Sequence, residues 1–287
     1  MIARIVKIVS KDYTIQFEDG HRENAIVMGK VRLQEAPLAG DFVRVEDVQG
    51  QWVIQEIMER KNRLRRPAVA NVDQAMIVMS VKDPDFSTTI VDRLSILICY
   101  EEITPILCVT KCDLGISDEV EEWIQEYERG PMQVLRTKKD ALSKDLASVL
   151  EGKVTVLTGQ SGAGKSTLLN ELEPSFQLKT QEISQALGRG KHTTRHNELH
   201  VVAGGLVADT PGFSSVDFSH IEADELGECV LDFEPYIGKC RFNDCIHQNE
   251  PDCAIKEAVE KGIIPKSRYE NYLGVLQLIK ERKAKYI

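Results

Sequence analysis

Two short stretches combine residue types at spacings that can do chemistry. In "GQSGAGKST", residues 159 to 167, the pattern G-x-x-x-x-G-K-S lies between an apolar run and a helical pattern. Gly159, Gly162 and Gly164 let the backbone turn with its N–H groups pointing inward, and Gln160, Ser161, Ala163 and Thr167 complete the cradle around phosphate oxygens. Lys165 supplies a point charge to the β and γ phosphates, the start of the following helix adds a favourable dipole, and the Ser166 hydroxyl is a ligand for Mg2+. This stretch calls for a nucleoside triphosphate and does not select the base. In "CVTKCDLG", residues 108 to 115, the Asp113 carboxylate can accept hydrogen bonds from the N1–H and 2-amino groups of guanine. Adenine offers neither donor, so its binding would leave a desolvated carboxylate unpaired. Thr110 and Lys111 flank that position, and Lys111 is expected to lie along the base with its apolar stem.

A third stretch, "LVADTPG", residues 206 to 212, ends a strand pattern with Asp209, placed to hold Mg2+ through water. The Gly212 N–H is then available to the γ phosphate, and Lys165 and Gly212 are the groups expected to stabilise charge on the transferring phosphoryl group. Between these motifs runs the polar loop "GRGKHTTRH", residues 188 to 196. Either Thr193 or Thr194 can complete the Mg2+ shell, and Thr194 is preferred as the nearer to the next strand. His192 in the same loop is a candidate for positioning the attacking water; its other reading is a solvated loop residue.

Cys240, Cys245, His247 and Cys253 follow the pattern C-x4-C-x-H-x5-C. Three thiolates and an imidazole are the ligand number and softness of a closed structural zinc site, with no open position for catalysis. Of the other cysteines, Cys99 and Cys108 lie in apolar runs, Cys112 in the base motif and Cys229 in a helical pattern, and none is given a metal role.

These residues need elements to hold them. Residues 2 to 58 alternate like five short strands separated by turns such as "EDGHREN" and "PLAGD", the count and length of a small barrel. An OB-fold and an SH3-like barrel both satisfy that pattern, and the OB-fold is preferred. The basic run "RKNRLRRP", residues 60 to 67, follows; Lys61, Arg63, Arg65 and Arg66 either meet nucleic-acid phosphates or form a solvated linker. From about residue 70, buried apolar runs alternate with helical patterns, as in an α/β sheet, and the hairpin-like "LHVVAGGLVADTPG" ends it. After residue 215 the pattern is acidic and helical, passes through the cysteine cluster and ends in two helices, the last expected to start with a capping box of Ser267 and Glu270.

The totals set bounds. A chain of 287 residues with 42% hydrophobic content supports two or three domains. No apolar run approaches the roughly 20 residues of a membrane span, and the opening residues alternate like a strand, unlike a secretory signal. A cytoplasmic protein is expected. Seven cysteines are an odd number for a disulfide framework. The net charge of -9 argues against an extensive nucleic-acid surface and leaves room for local basic patches.

The ordered set TKCD, GQSGAGKS, GRGKHTTR, DTPGFSS, CRFNDCIHQNEPDCAIKEAVEKG and RYENYL resembles the circularly permuted GTPases called ribosome small-subunit-dependent GTPase A, over nearly the whole chain. Permutation cuts the ordinary G domain in a loop and joins its old ends, so the base-reading element comes first while the site is preserved. The resemblance implies a multi-domain protein: an OB-fold barrel with basic linker over 1–66, a circularly permuted α/β P-loop GTPase domain over 67–218, and a small α-helical zinc-binding domain over 219–287. It further implies Mg2+-dependent hydrolysis of GTP to GDP, stimulation by the small (30S) ribosomal subunit during late assembly, and contacts of barrel and tail with rRNA. One structural Zn2+ per chain and a monomer are expected. The loop carrying Asp209 and Gly212 would lead directly into the tail, giving a covalent route between nucleotide state and partner. Two positions depart from the usual pattern: Thr110 stands where an asparagine is usual, and "LRTKKD", residues 135 to 140, lacks the Ser-Ala pair of the second base loop. Phe213 also replaces a water-orienting glutamine, which predicts slow unassisted hydrolysis. Two other readings stand: a P-loop NTPase of different specificity, and a zinc-containing RNA-binding protein for which GTP is only a conformational ligand.

Overall fold

The computed structural model describes residues 1–27, 35–65, 68–139, 144–173, 197–208 and 217–284. Arg66, His192, Thr193, Thr194, Asp209, Gly212 and Phe213 lie outside the described residues.

Alternation along the first strands gives each an apolar and a polar face. Strands β1 (Ile2–Val9), β2 (Asp12–Gln16), β3 (Arg22–Ile26), β4 (Phe42–Val48) and β5 (Gln51–Ile57) occupy the five segments expected of the barrel. In β4, Val43 and Val45 are buried while Phe42, Arg44 and Glu46 face out. Val43 and Val45 join Ala3, Ile5, Ile15, Phe17, Ala25 and Ile54 in one apolar core. The strands pair in the order β1-β2-β3-β5-β4, and β1 closes on β4 through Ala3 opposite Val43. Neighbours are antiparallel except β3 and β5, which run parallel with Ala25 opposite Trp52. A parallel pair cannot be joined by a tight hairpin and needs a crossover, which separates this five-stranded Greek-key barrel, the OB-fold, from a simple meander.

Beyond the barrel come β6 (Arg63–Arg65), β7 (Ala68–Ala70), β8 (Gln74–Ser80), α1 (Thr88–Tyr100), β9 (Thr104–Thr110), α2 (Asp118–Arg129) and β10 (Gln133–Arg136). Then follow α3 (Lys144–Leu150), β11 (Val154–Gly159), α4 (Lys165–Leu172), β12 (Asn197–Val202), β13 (Gly205–Ala208), α5 (Ala254–Glu260) and α6 (Lys266–Ala284). The described residues fall into two compact units. One draws on Met1–Ala75, Leu142–Leu157 and Lys165–Gly212, the other on Met76–Ala141, Thr158–Gly164 and Phe213–Ile287.

In the first unit β1 pairs with three strands, β2, β4 and β12. Its opening residues close the barrel, while Lys7 and Ile8 pair with Glu198 and Asn197 of β12, supported by a Lys7–Glu198 ion pair at 2.7 Å. The β12–β13 hairpin has the form expected from its sequence, and β13 runs parallel to β11. Three cations of the basic run meet acids from other segments: Arg60 holds the fully buried Asp41 at 2.7 Å, Arg63 meets Glu35 at 3.3 Å and Lys61 meets Asp73 at 3.5 Å. Lys61 and Arg63 stay more than half exposed, so their pairing is weak and screened.

All seven residues of β8, of which Met76–Ser80 lie in the second unit, are buried, as a strand covered on both faces requires. The strand order is β10-β9-β8, with β10 parallel to β9. Ser87 caps α1 by accepting from the Ile90 N–H. The tail shares a core with that helix: Ile96 and Leu97 pack in one cluster with Ile221, Leu226, Phe233, Ile255, Tyr272, Val275 and Ile279. Within it the Arg268 guanidinium pairs with Asp92 and Asp232, and lies 3.9 Å from the Tyr127 ring centre. The capping box expected at Ser267 and Glu270 does not form. The helix already includes Lys266, so Ser267 lies inside its first turn and donates to Glu126 at 2.9 Å, while Glu270 pairs with Lys266 at 3.3 Å. Among the described residues, no helix is long and apolar enough to cross a membrane.

Candidate functional site

The glycine-rich turn begins where β11 runs out of buried positions. Gly159 has φ +126°, and a Cβ there would collide with the carbonyl oxygen of Val78. Only glycine permits this approach of the turn to β8. Gly164, at φ +95°, places its backbone beside Thr110, whose Oγ1 lies 3.6 Å from where a Cβ would stand. Ala163 between them is buried, whereas Ser161 and Gly162 are exposed. Lys165, Ser166 and Thr167 form the first turn of α4, with Ser166 and Thr167 exposed. The helix start therefore presents its N–H groups and the Ser166 hydroxyl where an anion with a hard cation can be met.

The stretch expected to read the base begins at the end of β9. Thr110 is buried, and its hydroxyl donates to the carbonyl oxygen of Ala163 at 2.6 Å. The second partner in reach, Met79 O, is at 3.3 Å. The threonine thus supplies a tie from this strand end to the glycine turn, and its short side chain carries no amide to offer a base. Lys111 adopts a left-handed conformation at φ +58°. Its ammonium donates to the Asp83 carbonyl and approaches that of Lys82 at 3.5 Å, so the stem expected along the base is also a strap on the loop after β8. Asp113 lies in a 3-10 turn, Cys112–Leu114, closed by the Leu114 N–H on Lys111 O at 3.0 Å. Its side chain is open to solvent, and Oδ1 accepts from the Lys139 N–H at 3.1 Å. Sequence reasoning did not find Lys139, because a main-chain donor leaves no trace in residue type.

Cys240, Cys245, His247 and Cys253 converge so that their ligand atoms all lie within 4.8 Å of one another. His247 Nδ1 is 3.5, 3.4 and 3.4 Å from the sulfurs of Cys240, Cys245 and Cys253, and the Cys240 and Cys253 sulfurs are 3.8 Å apart. A tetrahedron with metal–sulfur bonds of about 2.3 Å and a metal–nitrogen bond of about 2.0 Å has edges of roughly 3.8 Å and 3.5 Å, so the four residues fit one such ion. Burial pushes the Cys245 thiol up, and a bound cation would favour its thiolate.

The ligand loop is organised by residues with no signature of their own. Glu250 accepts from the N–H groups of Gln248 and Asn249 at 2.8 and 3.0 Å. Tyr269 and Tyr272, one turn apart on α6, donate to the carbonyls of His247 and Ile246 at 2.8 and 2.7 Å. Gly227 packs on the other edge of the imidazole, where a Cβ would stand 3.0 Å from Nε2. Cys108 and Cys229 are buried, which raises each thiol to about 12.

A strand, a glycine turn and a helix, with the Thr110–Asp113 stretch encoded earlier in the chain, are the order of a permuted P-loop nucleotide-binding protein. The family described as RsgA GTPase matches residues 57–219. The chain is 44% identical over 293 residues to the small ribosomal subunit biogenesis GTPase RsgA of Geobacillus thermodenitrificans, covering 99% of each. It is 44% identical over 291 residues to the protein of that name from Bacillus cereus, again covering 99% of each. The solved structure of YloQ, a circularly permuted GTPase, matches at TM-score 0.82 and 36% identity, with 98% of this chain and 95% of that one covered. That of YjeQ from Thermotoga maritima matches at TM-score 0.84 and 35% identity, covering 97% and 98%. The chain belongs to the RsgA GTPase family.

Proposed function

We propose that this protein is an Mg2+-dependent GTPase that binds the small (30S) ribosomal subunit and its rRNA, assists late maturation of that subunit, and is stimulated by it in hydrolysing GTP to GDP and phosphate. The observation that carries the nucleotide site in this reading is the bond from Thr110 Oγ1 to Ala163 O, which fastens the strand end before Asp113 to the glycine turn; the ribosomal partner is taken from the names of the relatives. Residues 110–113 and 159–164 are encoded apart, and this contact supports reading them as parts of one nucleotide site. In that site Asp113 selects guanine, Thr110 and Lys111 hold the base-reading turn, and Gly159 to Thr167 wrap the phosphates, with Lys165 neutralising charge.

Mg2+, when bound, neutralises the β and γ phosphate oxygens. Ser166 is assigned as its ligand, with Thr194 and Asp209 completing the set; His192 and Gly212 are assigned to water positioning and γ-phosphate contact. Zn2+ is assigned to Cys240, Cys245, His247 and Cys253 as a structural ion, one per chain, consistent with the soft donor set and the edge lengths. The functional divisions are taken as 1–66, 67–218 and 219–287, and the protein as a cytoplasmic monomer.

Phosphate release with and without purified small subunits tests the reading. Acceleration by subunits, with GTP preferred to ATP, is the expected result. Binding to subunits with no acceleration would leave GTP as a conformational ligand only, and equal use of ATP would overturn the role of Asp113.

A further inference from the structure

Resting on the reading of Asp113 as the guanine acceptor, we propose that the main-chain N–H of Lys139 is the positioning group for that carboxylate, and that it takes the place of a side-chain device in the second base loop. An exposed aspartate turns freely about its terminal torsion, and fixing it on ligand binding costs entropy that a preformed partner removes. Lys139 provides that partner, its N–H donating to Asp113 Oδ1 at 3.1 Å.

The donor is itself well placed. The segment after β10 is stitched to the end of β9 by alternating bonds. Thr137 N–H donates to Val109 O at 2.7 Å, Cys112 N–H to Thr137 O at 3.2 Å, and the Lys139 N–H is the next donor along. A carboxylate has about four lone-pair positions, and Lys139 uses one, leaving the rest for the N1–H and 2-amino groups of guanine. This accounts for the stretch "LRTKKD": a main-chain donor needs no serine and no small residue, only a residue other than proline.

The test is equilibrium binding of GDP and ADP to the full-length protein and two variants. Lys139→Ala keeps the N–H and is expected to retain wild-type GDP affinity. Lys139→Pro removes it and is expected to weaken GDP on the order of tenfold, with weak ADP binding through the phosphate site unchanged. Equal losses in both variants, or no loss in Lys139→Pro, would overturn the proposal.

Should Lys139→Pro not fold, the amide proton of Lys139 is followed by NMR in wild type, Asp113→Asn and Asp113→Ala. A downfield position kept in the first two and lost in the third supports the bond, and no change overturns it. Xanthosine diphosphate separates the two levels of the argument. If Asp113→Asn gains no affinity for it, the guanine assignment itself fails; if it gains while Lys139→Pro behaves as wild type, only the role of Lys139 fails.

Discussion

The Thr110 hydroxyl donates to the carbonyl oxygen of Ala163 at 2.6 Å, across 53 residues of chain. Both ends of the bond are buried, so its loss leaves a carbonyl in a place with little access to water. A buried acceptor deprived of its donor costs about 1–3 kcal/mol. Thr110→Val, nearly isosteric, is therefore expected to lower stability by that amount in denaturant titration and to weaken GTP and ATP alike, because it loosens the phosphate turn. Thr110→Ser keeps the hydroxyl and should recover most of the loss.

Gly159→Ala places a methyl against the Val78 carbonyl at a backbone angle that L-residues rarely adopt. Strain at such a position costs on the order of 1–3 kcal/mol before the collision is counted. We expect loss of detectable nucleotide binding together with a lowered Tm. Wild-type binding by a folded Gly159→Ala protein would show that the turn is not held against β8 in solution.

Within the second unit, the buried Arg268 is expected to hold the tail to α1 through Asp92. Removing one member of a buried ion pair costs about 3–5 kcal/mol, because the partner is left as an uncompensated charge. Arg268→Met should therefore destabilise far more than Asp92→Asn, and a double-mutant cycle should return a large coupling between the two. The pH dependence has a definite sign. Burial raises the Asp92 pKa, against opposing effects of Arg268, Asn271 and Tyr127. A carboxyl whose folded pKa exceeds its unfolded value stabilises the fold below the unfolded pKa, and that contribution is lost as pH rises through the folded pKa. Without Arg268 the pKa rises further, so the deficit of Arg268→Met should shrink as pH falls from neutrality towards the ordinary carboxylate range. A deficit independent of pH would count against Asp92 as its origin.

Elemental analysis should find one zinc per chain. Chelation, or Cys253→Ser, is expected to expose the amides of residues 240–253 to hydrogen exchange and to lower the Tm, since binding energy at a closed site is folding energy. The barrel strands, whose core is Ile5, Ile15, Val43 and Ile54, should keep their protection. Uniform loss of protection would mean that the metal supports the whole chain and not the tail alone.

The residues 159–167 and the cysteine–histidine spacing were legible in the sequence because each places its donors within one turn or one short loop, where local geometry is encoded by residue type. The hairpin of β12 and β13 was legible for the same reason. Contacts between distant segments were not. The OB-fold required the parallel β3–β5 pair, which alternation in single strands cannot specify. Thr110 read as a departure at 110, and its partner at Ala163 appeared only when β9 and the glycine turn were brought together. The basic run read either as a phosphate surface or as a solvated linker, and the acids that Lys61 and Arg63 meet come from other segments that no local pattern names. Ser267 offered a cap in sequence and became a residue of the first helical turn, where it donates to Glu126 of α2, a partner 141 residues away. The chemistry of each group was a property of its residue type, whereas its partner was a property of long-range packing, which no local pattern records.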